Sequence, residues 1–220
     1  MLSNLIVPVL NRYDLLNRML GTIDYPVKRL VIIDNGGRFE QLFDKPTLDL
    51  VEQTFVLTLP SNLGVAGSWN LGIKLLPHDQ TWTITSNDVY FQPGDLEILS
   101  QASGDRLSLS EGFPHYHTFA VGEAVVGAVG LFDERLTPAY FEDNDYERRV
   151  RAAGFEVDYL PVRCGHDNSS TLKSSEQFQR RNAETFESNR AFYEAKVASD
   201  DMSWGWDLAR RRAGEWRAVD

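Results

Sequence analysis

The sequence predicts an α/β protein, a single domain with a central, mostly parallel β-sheet flanked by helices. Three observations carry this. Short β-branched runs alternate with stretches of helical period, the order of strand–helix–strand units. The runs are apolar almost throughout, as strands covered on both faces are. The first four are followed by Asn, Asp or Gly, the residues of tight turns. With 220 residues the chain is long enough to bury a core within one domain.

Leu5–Val9 reads as a buried strand, and Tyr13–Leu20 as a helix with Leu15, Leu16, Met19 and Leu20 on one side. The run 30–33 is a second strand, ended by Asp34, Asn35, Gly36 and Gly37. A third strand, 54–57, leads to Pro60, Ser61, Asn62, Leu63 and Gly64; a helix over 65–76 follows and stops at Pro77. Thr81–Thr85 is the fourth strand, ended by Ser86, Asn87 and Asp88. In sheets of this kind ligands sit beyond the carboxyl ends of the strands, which here carry Asn11, the turn 34–37, the segment 62–64 and Asp88. The second half is less regular. Strands are expected at 107–110 and 118–121, then a small-residue stretch at 122–130. A helix over 141–153 ends at Gly154 as its C-cap, and a strand follows at 155–160. A long polar helix spans 174–196 and a short tail 204–217. The expected organisation is one domain over 1–200 and a helical tail over 201–220.

The formal net charge of -10 argues against nucleic acid as the main partner, because phosphate contacts need clustered Lys and Arg. It also means that a phosphate ligand needs a cation or backbone amides to offset repulsion. Cys164 is the single cysteine, so no intrachain disulfide forms, and no Cys/His spacing suggests zinc. The apolar run Leu5, Ile6, Val7 is short for a signal peptide and lacks a basic leader. No stretch approaches the roughly 20 apolar residues of a membrane span. The expectation is a soluble, cytoplasmic protein.

Several motifs admit both a chemical and a structural role. Asp34 with Asn35 and the two glycines is either a tight turn or an acidic acceptor for a base or ribose, beside glycines that allow close approach. The segment 62–73 carries Gly67 and Gly72 in a helix, at up to about 1 kcal/mol each relative to Ala, so something packs closely there, either a ligand or the sheet. It matches neither a Walker A loop nor a dinucleotide fingerprint. Asp88 either holds a divalent cation through its carboxylate or, with Asn87, starts a turn before Pro93 and Gly94. Glu142, Asp143 and Asp145 open a helix. They either complement its dipole, with Asp145 and Arg149 as a solvated i,i+4 pair, or repel one another and raise a pKa toward that of a general base. His166 is a ligand or a turn residue, and His115 and His117, flanking Tyr116, line an acceptor pocket or nothing.

Taken in order, these segments resemble glycosyltransferase family 2, whose members have the Rossmann-like GT-A fold of nucleotide-diphospho-sugar transferases. The resemblance covers nearly the whole chain. LIVPVLNRYDLLNRML is similar to the family's first strand and nucleotide loop, VIIDNGG to its uridine-contacting Asp segment, and NLGVAGSWNLGIK to its Asn-Gly-Asn segment. TSNDVYFQPGDLEIL resembles the region of the Asp-X-Asp metal motif, with Ser86 at the first acidic position. VGLFDERLTPAYFEDNDYERRVRAAGF resembles the acceptor loop and Glu-Asp helix, and FESNRAFYEAKV the late helix, with Asn189, Tyr193 and Lys196 in place.

The resemblance implies an inverting hexosyl- or related transferase. Its donor is a nucleotide-diphosphate sugar and its acceptor a glycan, lipid-linked glycan or protein. Pro8, Asn11, Asp34, Asn35, Asn62, Gly64, Asn70 and Asn87 shape the nucleotide-sugar site. Asp88 and His166 hold Mn²⁺ or Mg²⁺, Asp143 is the general base, and Glu142 orients the acceptor. The alternative is a catalytically silent sugar- or nucleotide-binding module of the same fold. A sugar-1-phosphate nucleotidyltransferase is disfavoured, because Asn11, Arg12, Tyr13 and Asp14 stand where its glycine-rich loop belongs. The tail, with Trp204, Trp206 and a run from Arg210 to Arg212, is either a peripheral membrane contact or a packing helix or homodimer contact. The whole reading requires Asp34, Asp88, His166 and Asp143 to meet at one cleft.

Overall fold

The computed structural model describes residues 1–42, 48–167 and 176–213. Its element order begins β1 (Leu5–Val9), α1 (Tyr13–Leu20), β2 (Val27–Asp34), α2 (Phe39–Leu42), β3 (Val51–Thr58), α3 (Gly64–Leu75) and β4 (Thr81–Thr85). It continues with β5 (Val89–Tyr90), α4 (Asp95–Leu99), β6 (Arg106–Ser110), a 3₁₀ turn (His115–His117), β7 (Thr118–Gly122), α5 (Glu123–Val129) and α6 (Glu142–Ala152). The described chain closes with β8 (Glu156–Leu160), β9 (Gly165–His166), α7 (Glu176–Ala198) and α8 (Leu208–Ala213). The expected start of α7, 174–175, and the end of the tail, 214–217, lie outside the described residues.

Seven strands form one sheet in the order β3-β2-β1-β4-β7-β6-β8. All run in one direction except β7, which pairs antiparallel with β4 and β6. Alternation along each strand sends side chains to opposite faces, and both faces are buried. Leu5, Val7, Val9, Leu30 and Ile32 pack on one side with α1 and with Leu96 and Leu99 of α4. Ile6, Val31, Ile33 and Ile84 pack on the other with Trp69, Ile73, Phe132 and Tyr146. Gly72 explains part of the glycine content of α3: a Cβ there would lie 2.5 Å from Ile6 Cγ2, so the helix presses directly on β1. That is sheet packing, not a ligand contact.

β2 and β3 are longer than their apolar runs. Val27 pairs with Val51 and Arg29 with Gln53, so backbone pairing extends both strands into polar sequence that carries no periodic signal. β3 is an edge strand, which is why its polar residues are tolerated. The stretch 122–130 holds a helix, α5. The strands β5 and β9, too short to show in a hydrophobic pattern, form a separate two-stranded antiparallel sheet.

Behind α6 lies a buried ion network. Lys196 Nζ is 2.6 Å from Asp133 Oδ2 and 2.7 Å from Asp145 Oδ1. Arg135 pairs with Asp133 at 2.7 Å and Arg149 with Asp145 at 2.8 Å. The Asp145–Arg149 pair read from the i,i+4 spacing is thus formed, but buried rather than solvated. The segment after residue 200 packs back on the domain as far as it is described. Lys196 and Arg135 donate to the Ser203 carbonyl. Arg210 donates to the Arg135 carbonyl and to Asn189 Oδ1 and lies over the Phe192 ring. Two residues of the basic run therefore face protein, Arg211 reaching Thr137 Oγ1. No helix among the described residues is long and apolar enough to cross a membrane.

Candidate active site

The topology sets which side chains meet. β1, β2, β4, β6 and β8 end at one edge of the sheet, and because β7 is reversed, the 3₁₀ turn preceding it lies at that same edge. A cavity of about 710 Å³ opens there, a usual size for a small-molecule site. Of the residues singled out from sequence, Pro8, Asn35, Asn62, Gly64, Asn87, Asp88, Glu142, Asp143 and His166 line it. Asn11, Asp34 and Asn70 do not.

Asp34 is fully buried. One carboxylate oxygen accepts the Tyr13 hydroxyl at 2.5 Å and the amides of Gly36 and Gly37; the other accepts the Phe39 amide at 2.9 Å. Its hydrogen-bonding capacity goes to shaping the turn after β2, which leaves the base-contacting role without geometric support. The same desolvation and hydrogen bond hold the Tyr13 phenol above its ordinary pKa. Asn70 is likewise internal: its amide donates to the Phe132 carbonyl and Glu134 Oε1, and its oxygen accepts the Phe132 amide. It clamps α3 to the segment entering the loop 131–141.

The nucleotide-side wall is built by short-range bonds. Asn35 Oδ1 accepts the Leu63 amide at 2.8 Å, and Asn62 Oδ1 accepts the Gly64 amide at 2.8 Å. Gly64 has φ +76°, and a Cβ there would lie 2.7 Å from the Pro138 carbonyl oxygen. Only glycine permits this approach, which joins the start of α3 to the loop 131–141, and the next amide, Val65, donates to the same carbonyl at 2.7 Å. Asn87 donates to the Arg12 carbonyl, tying the β4 and β1 ends together.

Asp88 and His166 meet because β5 pairs with β9. Val89 is in register with His166, and the Asp167 amide donates to the Asp88 carbonyl. His166 Nε2 lies 3.0 Å from Asp88 Oδ1. These two groups, an oxygen and an imidazole nitrogen facing the cavity, suit a first-row divalent cation that takes its other ligands from a diphosphate and water. No cluster of three His, Cys, Asp or Glu suited to a metal occurs among the described residues. Ser86, at the first acidic position of the expected motif, also lines the cavity.

Across from this pair, α6 presents Glu142 and Asp143. The three acidic residues do not act as one cluster: Asp145 points into the ion network, and Glu142 and Asp143 into the cavity. Burial raises the Asp143 pKa, only partly offset by the Asn144 amide that donates to Oδ1 at 2.8 Å. Burial, and then repulsion from Asp143, raises Glu142 well above the ordinary carboxylate range. Desolvation thus outweighs the mutual repulsion on which the sequence reading relied.

Sequence reasoning left Tyr116 and His117 open. Both line the cavity, whereas His115 turns away to the Ser110 carbonyl and the Tyr159 ring. His117 is buried behind His166, with ring centroids 5.1 Å apart, and desolvation lowers its pKa to about 4. Asn182, Thr185 and Phe186 of α7 close the far wall. A reversal of strand direction in mid-sheet brings the 3₁₀ turn here, and no local pattern signals it.

No family model matches the chain. It is 23% identical to a galactofuranosyl glycosyltransferase of Leishmania donovani across 96% of this chain and 66% of that protein, so it spans about two thirds of that relative's length. Among solved structures, GalNAc-T7 with UDP, GalNAc and Mn²⁺ superposes at TM-score 0.58 with 13% identity, over 97% of this chain and 54% of that one. A fragment of S. aureus TarS gives 0.53 at 16% identity, over 73% and 58%. A Drosophila β1,4-galactosyltransferase 7 mutant, complexed with manganese, UDP-Gal and xylobiose, gives 0.52 at 12% identity, over 79% and 74%. The fold is GT-A. These likenesses do not single out family 2.

Proposed function

We propose that this GT-A domain is a glycosyltransferase that moves a sugar from a nucleotide-diphosphate donor to an acceptor hydroxyl with inversion. One observation carries the reading: the Asp88–His166 pair and the Asp143 carboxylate open into a single cavity from different walls. The names of the L. donovani relative and of the GT-A neighbours, several crystallised with UDP or a UDP-sugar, support it.

In this reading the nucleotide lies along the β1–α3 wall, against Pro8, Asn35, Asn62 and Gly64. Asp88 and His166 would hold Mn²⁺ or Mg²⁺, which when bound neutralises charge on the diphosphate as a Lewis acid. Asp143 accepts the proton of the acceptor hydroxyl as that oxygen bonds to the anomeric carbon. The bond from that carbon to the diphosphate oxygen breaks on the opposite face, and its electron pair leaves with the nucleoside diphosphate. A raised pKa suits Asp143 to this work, since a stronger base takes the proton more readily and stays ionised near neutral pH. The loop 131–141 and α7 exclude water from the same space.

The test is release of nucleoside diphosphate from a panel of UDP-, GDP- and dTDP-sugars with Mn²⁺ and mixed acceptors. Asp143→Asn is expected to lower kcat by about 10²–10⁴-fold, the usual contribution of a general base, while UDP still binds. If wild type releases no nucleoside diphosphate from any donor yet binds one, the domain is the silent binding module.

A further inference from the structure

We propose that Tyr116 and Glu142 form a subsite for a neutral sugar acceptor, each meeting one of its hydroxyls while the apolar face of the sugar ring lies on the aromatic wall beside them. This rests on the glycosyltransferase reading and adds the class of acceptor. The Tyr116 hydroxyl and Glu142 Oε2 are both buried without a hydrogen-bond partner, and both residues line the cavity. Glu142 is only 6% exposed. Buried polar atoms are nearly always paired, so two orphans in one cavity ask for a ligand that supplies the missing bonds.

The surroundings say what that ligand is. Phe113, Pro114, Phe141 and Phe186 make this wall apolar, and Phe113 stands 85% exposed. A sugar is amphipathic in the same way: its ring carbons present C–H bonds on one face, its hydroxyls lie around the rim, and the C–H face stacks on aromatic rings. Asp143 and Glu147 bear on the Tyr116 hydroxyl, and Asp143 on Glu142, so a phosphorylated or acidic acceptor meets repulsion that a neutral polyol does not. Burial favours the protonated form of both Tyr116 and Glu142, so each can donate a hydrogen bond to a hydroxyl oxygen.

The experiment is calorimetric titration of the full chain. UDP with Mn²⁺ is titrated first; if it does not bind, the donor reading itself fails. The UDP-loaded protein is then titrated with xylobiose and with methyl pyranosides and furanosides, against decyl phosphate and a Ser/Thr peptide as comparators. A neutral glycoside is expected to saturate the protein. Tyr116→Phe and Glu142→Ala should each weaken it by about tenfold, the upper size of one lost hydrogen bond. Glu142→Gln should keep most of the affinity, because a neutral amide replaces a neutral carboxyl. Among monodeoxy glycosides, the one lacking the hydroxyl met by Tyr116 should bind Tyr116→Phe and wild type alike. Intact UDP binding overturns the inference if no neutral glycoside binds, if only the phosphate or peptide does, or if Tyr116→Phe matches wild type.

Discussion

Replacing Lys196 with methionine tests whether the ion network behind α6 holds the acidic wall of the cavity in place. The Lys196 side chain is 3% exposed, and its ammonium contacts the carboxylates of Asp133 and Asp145, which are fully buried. Both carboxylate oxygens lie within 2.7 Å of one nitrogen. They are therefore about 5 Å apart at most, and at an effective dielectric of 20 their repulsion is about 3 kcal/mol once the cation is gone. Each keeps one arginine, so the loss belongs near the lower end of the roughly 3–5 kcal/mol that breaking a buried ion pair costs. For a chain of this length that is a fall of about 6–12 °C in Tm. Thermal unfolding followed by circular dichroism measures it. Adding Asp133→Asn to Lys196→Met should recover part of the loss by removing one of the two repelling charges. If Lys196→Met melts within about 2 °C of wild type, the network is solvated or its partners rearrange freely, and the argument fails.

Two further outcomes follow from the cavity walls. Glu142 binds a proton in the folded state that the unfolded chain releases above about 4.5, because burial raises its folded pKa. The native state then holds more protons in that window, so stability should be greatest at and below pH 4.5 and decline as pH rises through the folded pKa. Denaturant midpoints measured across pH should lose this downward component in Glu142→Gln, and an unchanged slope would place Glu142 in water. Asp88→Asn should weaken Mn²⁺-dependent UDP binding by at least the roughly 10–100-fold that losing a supporting partner of a metal site costs, while binding without Mn²⁺ changes little. Equal calorimetric affinities of both proteins in Mn²⁺ would remove Asp88 from the site.

Much of the scaffold was legible because it is written in local pattern. Leu5–Val9 and Thr81–Thr85 are strands at the residues their apolar runs mark, and the turn residues after them do lie at one edge of the sheet. What local pattern could not show is which atoms a polar side chain meets. Asp34 and Asn70 were expected at the nucleotide, yet their partners are Tyr13 and Phe132, one 21 and the other 62 residues away. Their residue types fit either role, and only packing decides. Tyr116 was passed over for the opposite reason: nothing in a Tyr flanked by two His distinguishes a buried, partnerless hydroxyl from a surface one. The Asp88–His166 contact spans most of the chain and depends on two strands of two residues each, below any periodicity.

Charge links the two halves of the cleft. Among the described residues lining the cavity there is no Lys or Arg, while Asp88, Glu142 and Asp143 are there. The nearest cations are already committed: Arg18 pairs with Asp167 at 2.6 Å, and Arg12 with Asp14 at 2.6 Å. A diphosphate carrying two or more negative charges entering such a space is opposed by about 4 kcal/mol for each like-charged pair at 4 Å and an effective dielectric of 20. Backbone amides at the start of α3 can offset part of this. A divalent cation at Asp88 and His166 offsets more, and it leaves Asp143, on the far wall, unneutralised and therefore basic. Separating the carboxylates onto two walls is what lets one carry a cation while the other takes a proton.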